Sequence, residues 1–297
     1  MDRPIQSIRL GSWEVIGLVE SEFALDGGIM FGVVPRIMWQ KLLPPDEENR
    51  VPMEANVFLV RTGTANVLLD AGLGDALSAF DRKMYAPKGS SRLEESLGLI
   101  GLRAEDITHV IFSHLHTDHA NGAFRGDPDR PTLQFPRAQF YVQSDEWEDA
   151  THPDERTRAV YVEPRLQLLG ESGRLHLLSG DTEVFPGIAV AKTGGHSVGH
   201  QGIRVTAAGE RFFYYGDVIP SRFHLKGPWV AAIDLFPRET MKAKRALLQE
   251  CCDTPTVIGF DHDVTVMFGR IVRNEKWMDV IPVDTAPVPV ASQSVPR

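Results

Sequence analysis

Apolar residues along this chain come in short runs with turn residues between them, and most of the runs have the length and bounds of strands. Residues 8–19 alternate loosely and predict one or two strands, interrupted at Gly11. Residues 56–61 and 65–70 are apolar runs separated by Thr62-Gly63-Thr64, a hairpin in which glycine supplies the turn's unusual dihedrals. Further strands are predicted at 107–112, 139–143 and 188–192. A second hairpin around Ala208-Gly209 joins 202–206 to 211–215, and 257–260 reads as the last strand. Helices are predicted over 92–99, over 156–169, and from Pro237 to about Cys252, since proline is tolerated in a first helical turn. Ser144 reads as an N-cap, with Asp145 and Glu146 suiting the helix dipole. The glycine-flanked patch 27–32 predicts a turn packed on the body or, alternatively, a lip beside a pocket. Residues 44–50 and 126–130 read as polar loops. The tail from Pro282, rich in proline, valine and serine, is expected to be disordered, which leaves 1–281 as one domain and 282–297 as tail.

One event recurs. A run ends, a glycine often lies close by, and a histidine or aspartate follows: Asp70, His114, His196, Asp217 and His262. The densest case is Ser113-His114-Leu115-His116-Thr117-Asp118-His119, with three histidines and an aspartate within six positions. Neutral imidazole nitrogen and carboxylate oxygen are the ligands that borderline divalent metals accept. With His114 and His116 two apart and Asp118 and His119 on the following turn, one loop can aim ligands at two nearby points, which favours a pair of metals. A polar loop whose histidines cap a helix or sit in solvent is the weaker alternative, because four potential ligands follow an apolar strand this closely. Five such ends can converge on one edge of a layered α/β structure, where such architectures place their sites.

Composition narrows the partners. The 297 residues are 42% hydrophobic and 24% charged, as in ordinary soluble globular proteins. The net charge is −9, and no basic run is present, which argues against nucleic acid as a partner. The two cysteines, Cys251 and Cys252, are adjacent and cannot build a disulfide framework, so reduced thiols and a cytoplasmic location are expected. No stretch approaches 18 apolar residues, so no membrane span is expected, and the first residues lack the apolar core of a signal peptide. An exposed apolar N-terminal segment would suit a homodimer.

The motifs Leu69-Asp70-Ala71-Gly72, Ser113 to His119, Thr193-Gly194-Gly195-His196, Gly216-Asp217 and His262, in that order, resemble the metallo-β-lactamase superfamily over roughly residues 50–265. The resemblance implies an α/β fold, a four-layer αββα sandwich with metals at one edge of two facing sheets. It implies a first metal held by His114, His116 and His196, a second held by Asp118, His119 and His262, and Asp217 bridging them. Asp70 would hydrogen-bond a ligand imidazole and fix its orientation. The antibiotic-hydrolysing branch usually has cysteine where Asp217 stands, so the aspartate argues against a β-lactamase. Residues 28–35 with Asp217-Val218-Ile219-Pro220 resemble the branch of N-acyl-homoserine-lactone lactonases and organophosphate hydrolases. Lactonases of that kind place a tyrosine three residues beyond the bridging aspartate, where this chain has Pro220, with His224 nearby as a substitute or as an ordinary loop histidine.

The resemblance thus implies a dinuclear hydrolase that opens a lactone or cleaves a related small ester. Two cations about 3.5–4 Å apart lower the pKa of a shared water to near neutrality, yielding a hydroxide nucleophile without serine or cysteine. Asp118 would orient that nucleophile and pass a proton to the leaving oxygen. Zinc is the default metal, and iron, manganese or cobalt would accept the same ligands. Met30, Phe31, Phe223, His224 and Trp229 are the candidate pocket walls, each competing with a role as plain core. His152, His176 and His200 have no place in the ligand pattern and read as structural or exposed. The competing readings are a phosphotriester or phosphodiester hydrolase and, in a different class, a non-catalytic metal-stabilised ligand-binding module. The complete set of seven ligand positions disfavours the module.

Overall fold

The structure is a computed structural model and describes residues 5–275 and 277–288. Its strands, in chain order, form two large sheets and a small ribbon. The first half of the chain supplies β1 (Gln6–Leu10), β2 (Trp13–Asp26), β3 (Arg50–Arg61), β4 (Asn66–Leu69), β5 (His109–Ile111), the ribbon β6 (Phe124–Asp127) with β7 (Arg130–Leu133), β8 (Gln139–Gln143) and β9 (Leu175–Leu178). The second half supplies β10 (Thr182–Phe185), β11 (Ile188–Lys192), β12 (Gln201–Ala207), β13 (Glu210–Tyr214), β14 (Val257–Gly259), β15 (Phe268–Arg273), β16 (Met278–Pro282) and β17 (Ala286–Pro287). One sheet has eight strands in the order β17-β1-β2-β3-β4-β5-β8-β9, and the other has seven in the order β10 to β16. The helices are α1 (Gly27–Phe31), α2 (Arg36–Trp39), α3 (Ala79–Tyr85), α4 (Leu93–Leu99), α5 (Thr117–Ala120), α6 (Ser144–Thr151), α7 (Glu163–Glu171) and α8 (Pro237–Asp253).

Side-chain alternation explains the layering. Phe212 and Tyr214 of β13 point between the sheets, where they meet Phe58, Val60, Val67 and Ile111 of the first sheet. Phe213 and the following Tyr215 point the other way and pack with Leu247, Leu248 and Cys251 of α8. On the outer face of the first sheet, Leu18, Leu59, Leu68, Val110 and Phe140 pack against Leu93 and Leu97 of α4 and Leu166 and Leu169 of α7. Three apolar cores therefore lie between four layers, and the fold is the αββα sandwich. A fourth apolar cluster sits at one end, on the overhang of β2 and β3. It comprises Phe23, Leu25, Met30, Phe31, Trp39, Met53, Leu73, Leu77, Tyr85 and Trp229, among others. Outside that cluster Val33, Ile37 and Met38 are exposed.

Several local expectations change. Residues 27–31 form a short helix where a turn was expected, capped by Asp26, whose Oδ1 accepts from Gly28 N at 2.7 Å, and Met30 and Phe31 pack on the body of the protein as expected. The polar loop expected at 126–130 is the bend of the β6–β7 ribbon, whose flanking residues pair antiparallel. The helix expected from 156 begins only at Glu163, with proline in its first turn, because Val160, Tyr161 and Val162 are poor helix starters. Ser144 is the first helical residue, with Gln143 at the cap position. Strand 257–259 is followed by three more, because the alternating run 268–273 pairs on both sides. Of the expected tail, Ala286–Pro287 pairs with Gln6–Ser7 of β1, and 289–297 lie outside the described residues.

Candidate metal centre

β4 and β5 run parallel, as do β13 and β14, so the segments that follow them leave the sandwich at the same end. Asp70 follows β4, the 113–119 segment follows β5, Asp217 follows β13 and His262 follows β14, while His196 arrives between β11 and β12. Together they make two compact groups of donor atoms. His114, His116, His196 and Asp217 offer atoms within 4.8 Å of one another, and so do His119, Asp217, Asp261 and His262. Asp217 belongs to both. In the first group His196 Nε2 stands 3.0 Å from His116 Nδ1 and 3.0 Å from Asp217 Oδ2. In the second, His262 Nε2 stands 3.2 Å from His119 Nε2 and 3.3 Å from Asp217 Oδ1.

These distances fit metal ions. Donors around a tetrahedral ion with bonds of about 2.0–2.1 Å stand roughly 3.3 Å apart. His114 Nε2, Asp217 Oδ1 and Asp261 Oδ2 are buried without a hydrogen-bond partner, an arrangement that costs free energy unless a cation meets them. Four of the five imidazoles are tied by their other nitrogen to an oxygen. His119 Nδ1 donates to Asp70 Oδ2 at 2.8 Å, His196 Nδ1 to Asp234 Oδ1 at 2.8 Å, His262 Nδ1 to Glu54 O at 2.8 Å, and His114 Nδ1 to Ser113 Oγ at 3.0 Å. Each such bond fixes the tautomer and turns the Nε2 lone pair toward the centre.

Electrostatics point the same way. Burial holds His114 and His116 well below the usual imidazole range, with neighbouring imidazoles adding to the effect. Burial also opposes charge on His196 and His262, but carboxylates outweigh it. Asp217 and Asp234 raise His196 to about 10, and Asp261 and Asp217 raise His262 to about 9. The carboxylates thus demand positive charge at the centre, and divalent cations satisfy that demand.

The ligand segments are held from behind. Asp70 has a left-handed backbone at φ 54° and accepts four bonds: from Ser113 N and Ser113 Oγ at 2.6 Å each, from His119, and from Tyr214 OH at 2.5 Å. Buried Glu146 of α6 accepts from Leu115 N at 3.0 Å in one ligand segment and from Ser197 Oγ at 2.5 Å and Gly199 N at 3.2 Å in the other. Gly195 permits the second of these turns: its φ is +87°, and a Cβ there would lie 2.6 Å from Thr240 N.

Asp118 lies beside the second group, its Oδ2 3.5 Å from His262 Nε2, and Tyr85 OH donates to its Oδ1 at 3.4 Å. Met30, Phe31, Phe223 and Trp229 all join the end cluster, which reaches the centre through Tyr85 and through Phe23, whose ring meets His262 edge-on at 5.6 Å. Phe31 is enclosed, stacked between Trp39 and His224. His224 has both ring nitrogens engaged, with Met30 O at 2.9 Å and Ser221 Oγ at 2.8 Å, and so pins α1 to the loop after Asp217. His200 is fully buried, its Nδ1 2.6 Å from Thr193 Oγ1. Asp261, Asp234, Glu146 and Tyr85 escape a reading based on motifs. Asp261 alone carried a signal, standing next to His262 at a strand end.

Two sheets with helices on both outer faces, and two histidine–aspartate groups sharing a carboxylate at one end, define a metal-binding αββα protein. The chain belongs to the metallo-beta-lactamase superfamily, whose model matches residues 50–251. An N-acyl homoserine lactonase of Bacillus thuringiensis is 30% identical over 158 residues, 49% of this chain and 56% of that protein. The chain thus spans little more than half the length of the curated relatives it matches. A probable metal-dependent hydrolase from Staphylococcus aureus superposes with a TM-score of 0.85 at 28% identity, covering 94% of this chain and all of that one. AidC, a dizinc quorum-quenching lactonase solved with a product, shares the fold with a TM-score of 0.76 at 20% identity over 95% of this chain and 98% of its own.

Proposed function

We propose that this chain is a dinuclear metal-dependent hydrolase that opens a lactone, or cleaves a related small ester. The observation that carries the reading is the pair of donor groups joined by Asp217 beside an apolar cluster. His114, His116 and His196 would hold one cation and Asp118, His119 and His262 the other, with Asp217 between them. Such a pair supplies Lewis acidity and an activated water at neutral pH. The lactonase relatives favour a lactone with an acyl chain, and the end cluster offers apolar wall for that chain.

The remaining work falls to this chain's own groups. Asp118 can take a proton from the attacking water and return it to the leaving alcohol oxygen, since its carboxylate borders the second group. Tyr85 presents the phenol that Pro220 cannot. It is the last residue of α3, a helix fixed by the Ser78–Asp81 capping box and by the buried Arg165–Asp81 pair at 3.2 Å. Its hydroxyl can turn from Asp118 to the substrate's carbonyl oxygen and stabilise charge that develops there. The committed nitrogens of His224 leave it without a free donor for that purpose.

The test is metal analysis of the purified protein together with ring-opening of a medium-chain N-acyl-homoserine lactone. Two metals per chain and rapid opening are expected. Two metals without opening would discard the lactone and send the search to phosphotriesters and aryl esters. Binding of the lactone without turnover by the fully loaded protein would instead support a ligand-binding module.

A further inference from the structure

The two donor groups are chemically unequal. The first offers three imidazoles and one carboxylate, and the second offers two imidazoles and two carboxylates, Asp217 and Asp261. Asp118 stands within 3.5 Å of the second group and adds a third carboxylate to its surroundings. Asp261 is 2% exposed. Its Oδ1 is engaged, accepting from His262 N at 3.1 Å. Its Oδ2 has no hydrogen-bond partner and lies 3.8 Å from His262 Nε2 and 4.0 Å from His119 Nε2. Neighbouring Asp263 shows what a purely structural aspartate does here: its Oδ1 accepts from Thr265 N and Val266 N, and its Oδ2 from Arg222 N. Asp261 has no comparable duty, and its free oxygen faces imidazole nitrogens that already face each other.

We infer that Asp261 is an additional ligand of the second metal, and that the two centres therefore select different ions. An imidazole-rich set suits zinc, while a carboxylate-rich set suits harder cations such as manganese or ferrous iron. The first centre would take zinc from a mixture, and the second would accept manganese more readily than the first does. This inference concerns metal binding alone and stands whether or not the substrate is a lactone.

The experiment uses the full chain, stripped with chelator and titrated calorimetrically with Zn²⁺ and with Mn²⁺, with bound metal counted by elemental analysis. Wild type should bind two ions with distinct affinities. Asp261→Asn preserves the shape and the Oδ1 acceptor. It should leave the first ion's affinity within about twofold and weaken the second by at least about tenfold, more for Mn²⁺ than for Zn²⁺. The visible spectrum of Co²⁺ loaded second should also change in intensity in the variant, because a lost ligand alters coordination number. Two ions bound with unchanged affinities would overturn the proposal. So would weakened binding with an unchanged cobalt spectrum, which would reduce Asp261 to a nearby charge. If Asp261→Asn does not fold, Asp261→Ser must give the same pair of changes.

Discussion

Asp234 and His196 share a 2.8 Å hydrogen bond, and both side chains are closed to solvent. Asp234→Ala should weaken binding at the first centre about 10–100-fold, because the imidazole loses the partner that orients it. Metal titration checks this, and an unchanged isotherm would remove Asp234 from the account. Tyr85→Phe deletes one hydroxyl and keeps the ring that packs against Phe23. It should leave metal content intact and lower kcat for the best ester or lactone substrate by about 10- to 100-fold, with a smaller change in KM. A variant with full kcat would assign the phenol to Asp118 alone. At this scale the sequence shows which residue types carry the chemistry and hides their supports. His114, His116, His119 and His196 announce themselves by type and spacing. Asp234 lies in a stretch without periodicity, and Tyr85 is one aromatic among many until α3 carries it to Asp118. Asp261 and Asp263 are the same residue flanking one histidine, and only the path of the chain after β14 decides which faces the centre.

Among the elements, α6 and β2 tie together segments distant in sequence. Glu146 accepts from both ligand segments and from Tyr161 OH at 3.1 Å. Glu20, buried in β2 where the pairing with β3 shifts register, accepts from Leu73 N at 2.8 Å and Gly74 N at 3.0 Å, just beyond Asp70. Glu146→Ala would leave at least three buried donors without an acceptor, at about 1–3 kcal/mol each. The melting temperature should fall by several degrees, and amide exchange should quicken at residues 113–119 and 196–200 together. Quickening in one segment alone would contradict the tie. Most strands and the long helix α8 were legible because alternation and a proline-marked start are local signals. The late strands β15 and β16 and the short helix α1 were not: Arg273 pairs with Met278, yet residues 274–277 between them carry no glycine or proline to mark a turn, and α1 is secured by packing on Trp39 that leaves no periodic signal.

On the scale of the whole molecule, a buried ammonium sets a pH dependence of its own. Burial pushes the Lys244 ammonium down to about 7 against the opposing pull of Asp234, while its Nζ donates to Trp229 O at 2.5 Å. The unfolded chain keeps this proton up to the ordinary lysine value near 10.5. Between those values the unfolded state binds more protons, so this group makes stability rise with pH from about 7 to 10.5, and the full penalty of the buried charge applies below 7. Lys244→Met should flatten that rise, as read from denaturation midpoints between pH 6.5 and 10. Parallel curves for the two proteins would refute it.

Among the described residues, those up to 178 supply the first large sheet and the β6–β7 ribbon, those from 182 to 282 supply the second large sheet, and only Ala286–Pro287 return to the first. His114, His116 and His119 come from one half of the chain, and His196, Asp217 and His262 from the other. Neither half can assemble a complete binding site before the sheets dock, which places metal uptake late in folding. Ions that bind only once the sheets have docked cannot hasten that docking, but they must be released before the sheets part. Zinc should therefore slow unfolding in proportion to its free concentration and leave the refolding rate nearly unchanged.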